Sequence, residues 1–142
     1  MLKIQLINPE DTYELRQKIL RPEECKYEDD FTDEAFHLGA FSGENLISIA
    51  SFYKENHSLI KGGNHYRLRG MATLEAFRNK QAGRSLIEFA EKELSRRDAD
   101  VWWCNARTTV SGYYEKMGLQ AIGEVFDIEP IGPHKLMYKV LR

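Results

Sequence analysis

The densest set of residues able to do chemistry is Arg78-Asn79-Lys80-Gln81-Ala82-Gly83-Arg84, which places three cationic side chains and a glycine in one short turn. The turn lies inside Tyr66 to Leu94, between an apolar-rich run and an amphipathic one. A turn that opens a helix aims backbone N–H groups and the positive end of the helix dipole at one point. The cations reinforce that field, and Gly83 lets a ligand or another backbone come close. The pattern predicts an anion cradle whose natural occupant is a phosphorylated ligand. It is neither GxxxxGK[ST] nor the three-glycine GxGxxG, so the common nucleotide-hydrolase and Rossmann loops are excluded.

The elements on either side must position this turn. Tyr66 to Leu74 reads as a strand, and Gln81 to Arg97 as a helix with Ile87, Ala90 and Leu94 on one face. Glu88/Lys92 and Glu93/Arg97 stand at i,i+4, and Arg96 and Arg97 suit the helix C-terminus. The continuous apolar run Val101-Trp102-Trp103-Cys104-Asn105-Ala106 predicts a central strand parallel to the first, closing a right-handed βαβ unit. Upstream, Leu2, Ile4 and Leu6 alternate as a strand, and Asn8-Pro9-Glu10-Asp11 starts a helix with Leu15, Ile19 and Leu20 on its apolar face. Residues Glu23 to Asp33 read as a loop or a short second helix. Phe36 to Phe41 and Leu46 to Tyr53 form a hairpin around Ser42-Gly43-Glu44-Asn45. A short helix from Thr109 to Met117 ends at Gly118, and strands from Leu119 to Ile128 and from His134 to Leu141 complete a mixed sheet. The fold class is α/β (α+β).

A chain of 142 residues is the size of one domain, 1–142, with one core. With 42% hydrophobic and 30% charged residues and a formal net charge of -2, it lacks the basic excess of a nucleic-acid binder. No membrane segment is visible, and the N-terminus lacks the features of a signal peptide, so a cytoplasmic location is expected. Cys25 and Cys104 have no CxxC spacing and are expected as free thiols, with no metal site.

Within the cradle, Arg78-x-x-Gln81-x-Gly83 resembles the Arg/Gln-x-x-Gly-x-Gly/Ala pyrophosphate loop of the GCN5-related N-acetyltransferases, the GNAT superfamily. Further on, Asn105-Ala106-Arg107-(x)6-Tyr114-Glu115-Lys116-Met117-Gly118-Leu119 is similar to that family's Asn-Ala … Tyr-Glu-Lys-x-Gly-Phe segment. The element order matches as well, so the resemblance covers essentially the whole chain. Tyr66 to Ala72 and Ile131 to Met137 look similar to a bacterial branch of small members whose substrate is poorly defined.

The resemblance implies a mostly antiparallel twisted sheet of about six to seven strands with helices on both faces, its fourth and fifth strands parallel and splayed. It implies an N-acetyltransferase that moves the acetyl group of acetyl-CoA to a primary amine by direct attack, through a tetrahedral intermediate. The pantetheine arm would pair with backbone at Met71, Ala72 and Thr73. The pyrophosphate would sit on the amides of Asn79 to Arg84, including those of Gln81, Ala82 and Gly83, with Arg78, Lys80 and Arg84 adding charge. Asn105 would lie at the cleft. Tyr114, a phenol of pKa about 10, would protonate the leaving thiolate. The oxyanion would take a backbone N–H near Met71.

Two departures stand out. Gln81 occupies the family's first glycine slot, where a left-handed conformation would cost about 1 kcal/mol. Arg67 and Arg69 replace the carboxylate many relatives carry on that strand, so the general base is expected among His134, His65, Glu75 or a water chain, with His134 foremost. By period two, Arg67 and Arg69 share a face and point at an acceptor carboxylate or at acidic partners. Phe31, Phe36 and His37 fall where the family builds its acceptor pocket. The acceptor is a small-molecule or protein amine, and analogy allows a homodimer through the C-terminal strands. The rival readings are an acyl-CoA sensor or interaction module without turnover, and a structural domain without a ligand.

Overall fold

The computed structural model describes residues 2–142, apart from the side chains of Asn79 and Lys80. Strand β1 (Leu2–Ile7) pairs antiparallel with β2 (Phe36–Ser42), and β2 turns through Gly43, at φ 61, into β3 (Asn45–Lys54). β3 pairs antiparallel with β4 (His65–Thr73). Helix α2 (Ala82–Arg96) then crosses back to β5 (Val101–Arg107), parallel to β4. After the short α3 (Ser111–Lys116), β6 (Gln120–Ile128) and β7 (Gly132–Val140) form a hairpin whose β7 arm pairs with β5. The result is one seven-stranded sheet of order β1-β2-β3-β4-β5-β7-β6. The α/β class and the parallel fourth and fifth strands are therefore as expected. Among the described residues, no helix is long and apolar enough to cross a membrane.

Each face of the sheet carries its own core. On one face α2 inserts Ala82, Leu86, Ile87, Ala90 and Leu94 against β-strand residues such as Leu38, Phe52, Leu68, Trp102 and Cys104. On the other, Leu15 packs with Ile49 and Ala72, and Trp103 packs with Ile60, Val101 and Leu136. Trp102 and Trp103 thus anchor opposite cores, as the alternation of a strand requires. Each buried indole N–H has an acceptor, Glu91 Oε2 at 2.8 Å for Trp102 and the Glu55 carbonyl at 2.8 Å for Trp103.

The first helical region departs from the regular helix expected there. A 3-10 turn, Pro9–Thr12, runs into a single α turn, α1 (Tyr13–Leu15), and then into a π turn, Arg16–Leu20. The wide turn begins at Arg16, whose side chain is completely buried. Leu6, expected on the buried side of β1, is 51% exposed because β1 is the edge of the sheet. Glu93 pairs with Arg97 at 2.8 Å and Arg96 at 3.1 Å, but Glu88 and Lys92 form no ion pair. Both side chains of that second pair are long and exposed, so fixing them costs more entropy than the pair returns.

A bulge in β4 decides the shape of the sheet. Ser51 pairs with Arg69 and Ile49 with Ala72, so Gly70 and Met71 together face Ala50. Gly70 has φ 68, and a Cβ there would stand 2.9 Å from the Tyr27 ring. Only glycine fits this position, since the left-handed conformation and the close ring both exclude a side chain. Gly70→Ala is therefore expected to lower unfolding free energy by about 1–2 kcal/mol or more, read from the urea midpoint at unchanged slope.

Candidate functional site

Strands β4 and β5 pair only at His65–Val101, Tyr66–Trp102 and Arg67–Trp103. Beyond these pairs they diverge, because the Gly70–Met71 bulge bends β4 while β5 follows β7 along its whole length. The fork leaves the inward edge of Leu68 to Thr73 without a partner strand. Backbone groups on such an edge seek an extended ligand or water.

The turn expected to cradle an anion stands at the mouth of the fork. β4 ends at Thr73, a 3-10 turn covers Glu75–Lys80, and Gln81 adopts φ 58, ψ 28 before α2 begins. The glycine slot is thus left-handed, and Gln81 accepts the strain. The first bond of α2 runs from the Ser85 N–H to the Gln81 carbonyl at 3.0 Å. The amides of Ala82, Gly83 and Arg84 precede it and are the ones a helix leaves for a ligand. Arg84 and Arg78 are exposed, and Arg78 Nε leans back on the Thr73 carbonyl at 3.4 Å. The Asn79 and Lys80 side chains assigned to this cradle lie outside the described residues. Gln81→Gly is expected to raise stability by about 1 kcal/mol by removing the left-handed strain, measurable as a higher urea midpoint.

Gly83 is crowded. A Cβ would collide with the Tyr113 hydroxyl and would lie 2.6 Å from Met71 Cε. Its missing side chain therefore lets α3 and β4 close on the start of α2. Ala72 is buried in the opposite core, while Met71 packs toward α2. Thr73 Oγ1 is tied to Ser48 Oγ at 2.7 Å.

α3 sets Tyr114 against the α2-side core, close to Cys104. The Tyr114 hydroxyl makes no hydrogen bond among the described residues. Burial, with Cys104 and Tyr113 adding to it, pushes the phenol well above its ordinary pKa, so it stays a donor at working pH. Cys104 is pushed up to about 12 by burial, which leaves it a thiol and a poor nucleophile. Both cysteines are free. Asn105 is half-buried on β5 opposite Leu136, on the sheet face away from Tyr114.

That second face also carries His134, opposite Arg107 on β5. His134 is buried, packs on Phe126 and holds Nδ1 2.7 Å from the Gly132 carbonyl. A carbonyl only accepts, so in the neutral ring Nδ1 carries the proton and Nε2 keeps its lone pair. His65 differs. Its Nδ1 accepts the His57 N–H at 3.0 Å and its Nε2–H donates to the Lys61 carbonyl at 3.1 Å. Both nitrogens staple the loop before β4, which removes His65 from the candidate bases. Glu75 is exposed in the turn after β4.

A buried polar network beneath this face escaped the sequence reading. Arg16 grips Asp30 at 2.8 and 3.1 Å and donates to Ser51 Oγ at 2.8 Å, the Tyr53 hydroxyl at 3.1 Å and the Cys25 carbonyl at 3.0 Å. His37, placed only loosely from sequence, completes it, with Nδ1 2.7 Å from Ser51 Oγ and Nε2 3.0 Å from the Asp30 carbonyl. Phe36 belongs to the opposite core, stacked on Phe52 at 5.1 Å, and Phe31 is 65% exposed. The available signal was spacing: Thr12, Leu15, Arg16 and Ile19 recur at i, i+3, i+4 and i+7, which puts an arginine on the buried stripe.

Comparison with known proteins agrees with this geometry. Residues 3–119 match the model of the acetyltransferase (GNAT) family. The chain is 50% identical to the uncharacterized N-acetyltransferase YitI of Bacillus subtilis (strain 168), over 100% of this chain and 98% of that protein. Among solved structures, a Lactobacillus plantarum protein superposes with a TM-score of 0.82 at 20% identity, covering 99% of each chain. An aminoglycoside 6'-N-acetyltransferase complexed with coenzyme A superposes at 0.77 and 15% identity, covering 99% of this chain and 97% of that one. The family-model match over residues 3–119 and the full-length match to YitI, consistent with the forked β4–β5 pair, make this chain a member of the acetyltransferase (GNAT) family, and by that membership an acetyl-CoA-dependent acyltransferase.

Proposed function

We propose that the protein transfers the acetyl group of acetyl-CoA to a primary amine by direct attack inside the β4–β5 fork. The observation that carries this is the fork itself, open from Leu68 onward with the first amides of α2 at its mouth. The pyrophosphate occupies the amides of Ala82, Gly83 and Arg84, with Arg78 and Arg84 beside it. The pantetheine arm lies along the free edge at Met71 to Thr73 as an added strand. Its thioester then reaches the bulge, where a backbone N–H near Met71 receives the developing oxyanion.

Tyr114 stands on the donor side of the sheet and His134 on the other, which suits an acid for the leaving thiolate and a base for the incoming amine. The Nε2 lone pair of His134, fixed by the Nδ1–H bond to Gly132, takes the amine proton directly or through water. Asn105 borders the fork from β5 and orients the ligand there. The thiol of Cys104 is held protonated, so acetyl transfer through a cysteine thioester is disfavoured and direct attack remains.

Release of coenzyme A thiol from acetyl-CoA, followed with and without amines, tests this proposal. Amine-dependent release supports it. A thermal shift with acetyl-CoA but no release across a broad panel of amines supports an acyl-CoA sensor instead, since ligand binding to the folded state raises stability without turnover.

A further inference from the structure

The acceptor side of the fork is lined with arginine. Arg67 and Arg69 project from β4 on the face away from α2, since the Arg67 guanidinium lies 5.2 Å from the Trp103 ring and that of Arg69 4.2 Å from the Tyr27 ring. Across the opening, Arg107 shares the face of Trp103 and Asn105 by alternation, and pairs in register with His134. Both arms of the fork therefore present guanidinium groups to whatever approaches the thioester from this side.

Arg69 has no partner among the described residues, and Arg67 is only partly satisfied. Arg69 is exposed and forms no ion pair or hydrogen bond among the described residues, yet its position is set by stacking on Tyr27. The same ring carries Arg16 at 4.0 Å, whose charge is already taken by Asp30. Arg67 touches Glu55 only at 3.4 Å, and its Nε is buried with no acceptor. A buried donor without an acceptor is costly, and a ligand oxygen would satisfy it. A planar fork held on an aromatic ring is the arrangement that recognises a carboxylate in bidentate fashion.

Resting on the acetyltransferase reading above, we propose that the acceptor is a small amine bearing a carboxylate, bound by Arg69 and by the free donor of Arg67. A polyamine or an amino sugar would instead bring cationic groups into a field of like charge. The same field disfavours the ammonium form of the bound amine, which lightens the task of the base.

The test is the thiol-release assay run on matched acceptors: amino acids such as leucine, phenylalanine, β-alanine and γ-aminobutyrate, each beside its carboxamide and its decarboxylated amine. The carboxylate members are expected to exceed their partners in kcat/KM by about ten- to a hundredfold, as loss of a charged hydrogen-bond pair implies. Arg69→Gln is expected to raise the KM of the carboxylate acceptor and erase the preference, with the acetyl-CoA dissociation constant unchanged, and Arg69→Lys to restore part of it. Equal turnover of matched acceptors, or a preference for the decarboxylated amine, overturns the proposal and leaves the acetyltransferase standing. No release with any acceptor overturns both.

Discussion

Replacing Tyr114 by phenylalanine is expected to lower kcat by roughly a hundredfold or more, the usual scale for losing a positioned proton donor. The reasons are local. Expulsion of the coenzyme A thiolate is the step that needs a proton, and the Tyr114 hydroxyl is a donor with no competing hydrogen bond among the described residues. Burial keeps it protonated across the working range. The ring itself packs in the α2-side core, and phenylalanine preserves that packing. Stability and acetyl-CoA affinity should therefore change little while kcat and kcat/KM fall together, the signature of an interaction made in the transition state. A loss confined to acetyl-CoA affinity would show that Tyr114 only shapes the donor site.

Asp30→Asn is expected to destabilise the fold by about 3–5 kcal/mol, because it leaves the Arg16 guanidinium buried without its counter-charge. Against a total of about 5–15 kcal/mol, this is enough to threaten folding. Both side chains are essentially inaccessible, so solvent cannot take over the lost pairing. The double variant Arg16→Met with Asp30→Leu removes both charges and should recover part of the loss, which separates an uncompensated charge from lost packing.

The same network predicts acid sensitivity. Burial works against the Asp30 carboxylate, yet hydrogen bonds from Arg16, Tyr53 and the Tyr27 N–H outweigh it and hold its pKa below the ordinary value. Burial, opposed by the Asp30 carbonyl and reinforced by Arg16, lowers that of His37. Both folded-state values are depressed, so the stability they contribute is present above the unfolded values of about 6.5 for His37 and 3.9 for Asp30. It is lost as pH falls through the folded values. Urea midpoints should accordingly decline below about pH 6.5, and more steeply once Asp30 titrates.

The elements around the expected donor site were legible because they are local. A strand, a basic turn and a helix follow one another in the chain, and Gln81, Gly83 and Tyr114 sit in a readable spacing. The parallel β4–β5 pair followed from two apolar runs flanking one helix. The opposite sheet face was only half legible. Period two put Arg67 and Arg69 on one face, but the network that holds Tyr27 under Arg69 joins Arg16, Asp30, Ser51 and Tyr53 from three separate segments. No local pattern reports such long-range pairing. The β4 bulge was hidden for a similar reason: Gly70 reads as any strand glycine until the register with β3 shows two residues facing one. The irregular turns after β1 were missed because Thr12, Leu15, Arg16 and Ile19 keep helical spacing although the backbone passes through 3-10, α and π geometry.

Acetyl transfer to an amine within the β4–β5 fork is best read at the acceptor itself. Mass spectrometry of amines with and without a carboxylate, incubated with acetyl-CoA and the protein, should show an N-acetylated product, formed in step with thiol release and strongly reduced with Tyr114→Phe. Acetyl-CoA binding without any acetylated amine would contradict it, and product formed equally well by Tyr114→Phe would remove Tyr114 as the acid.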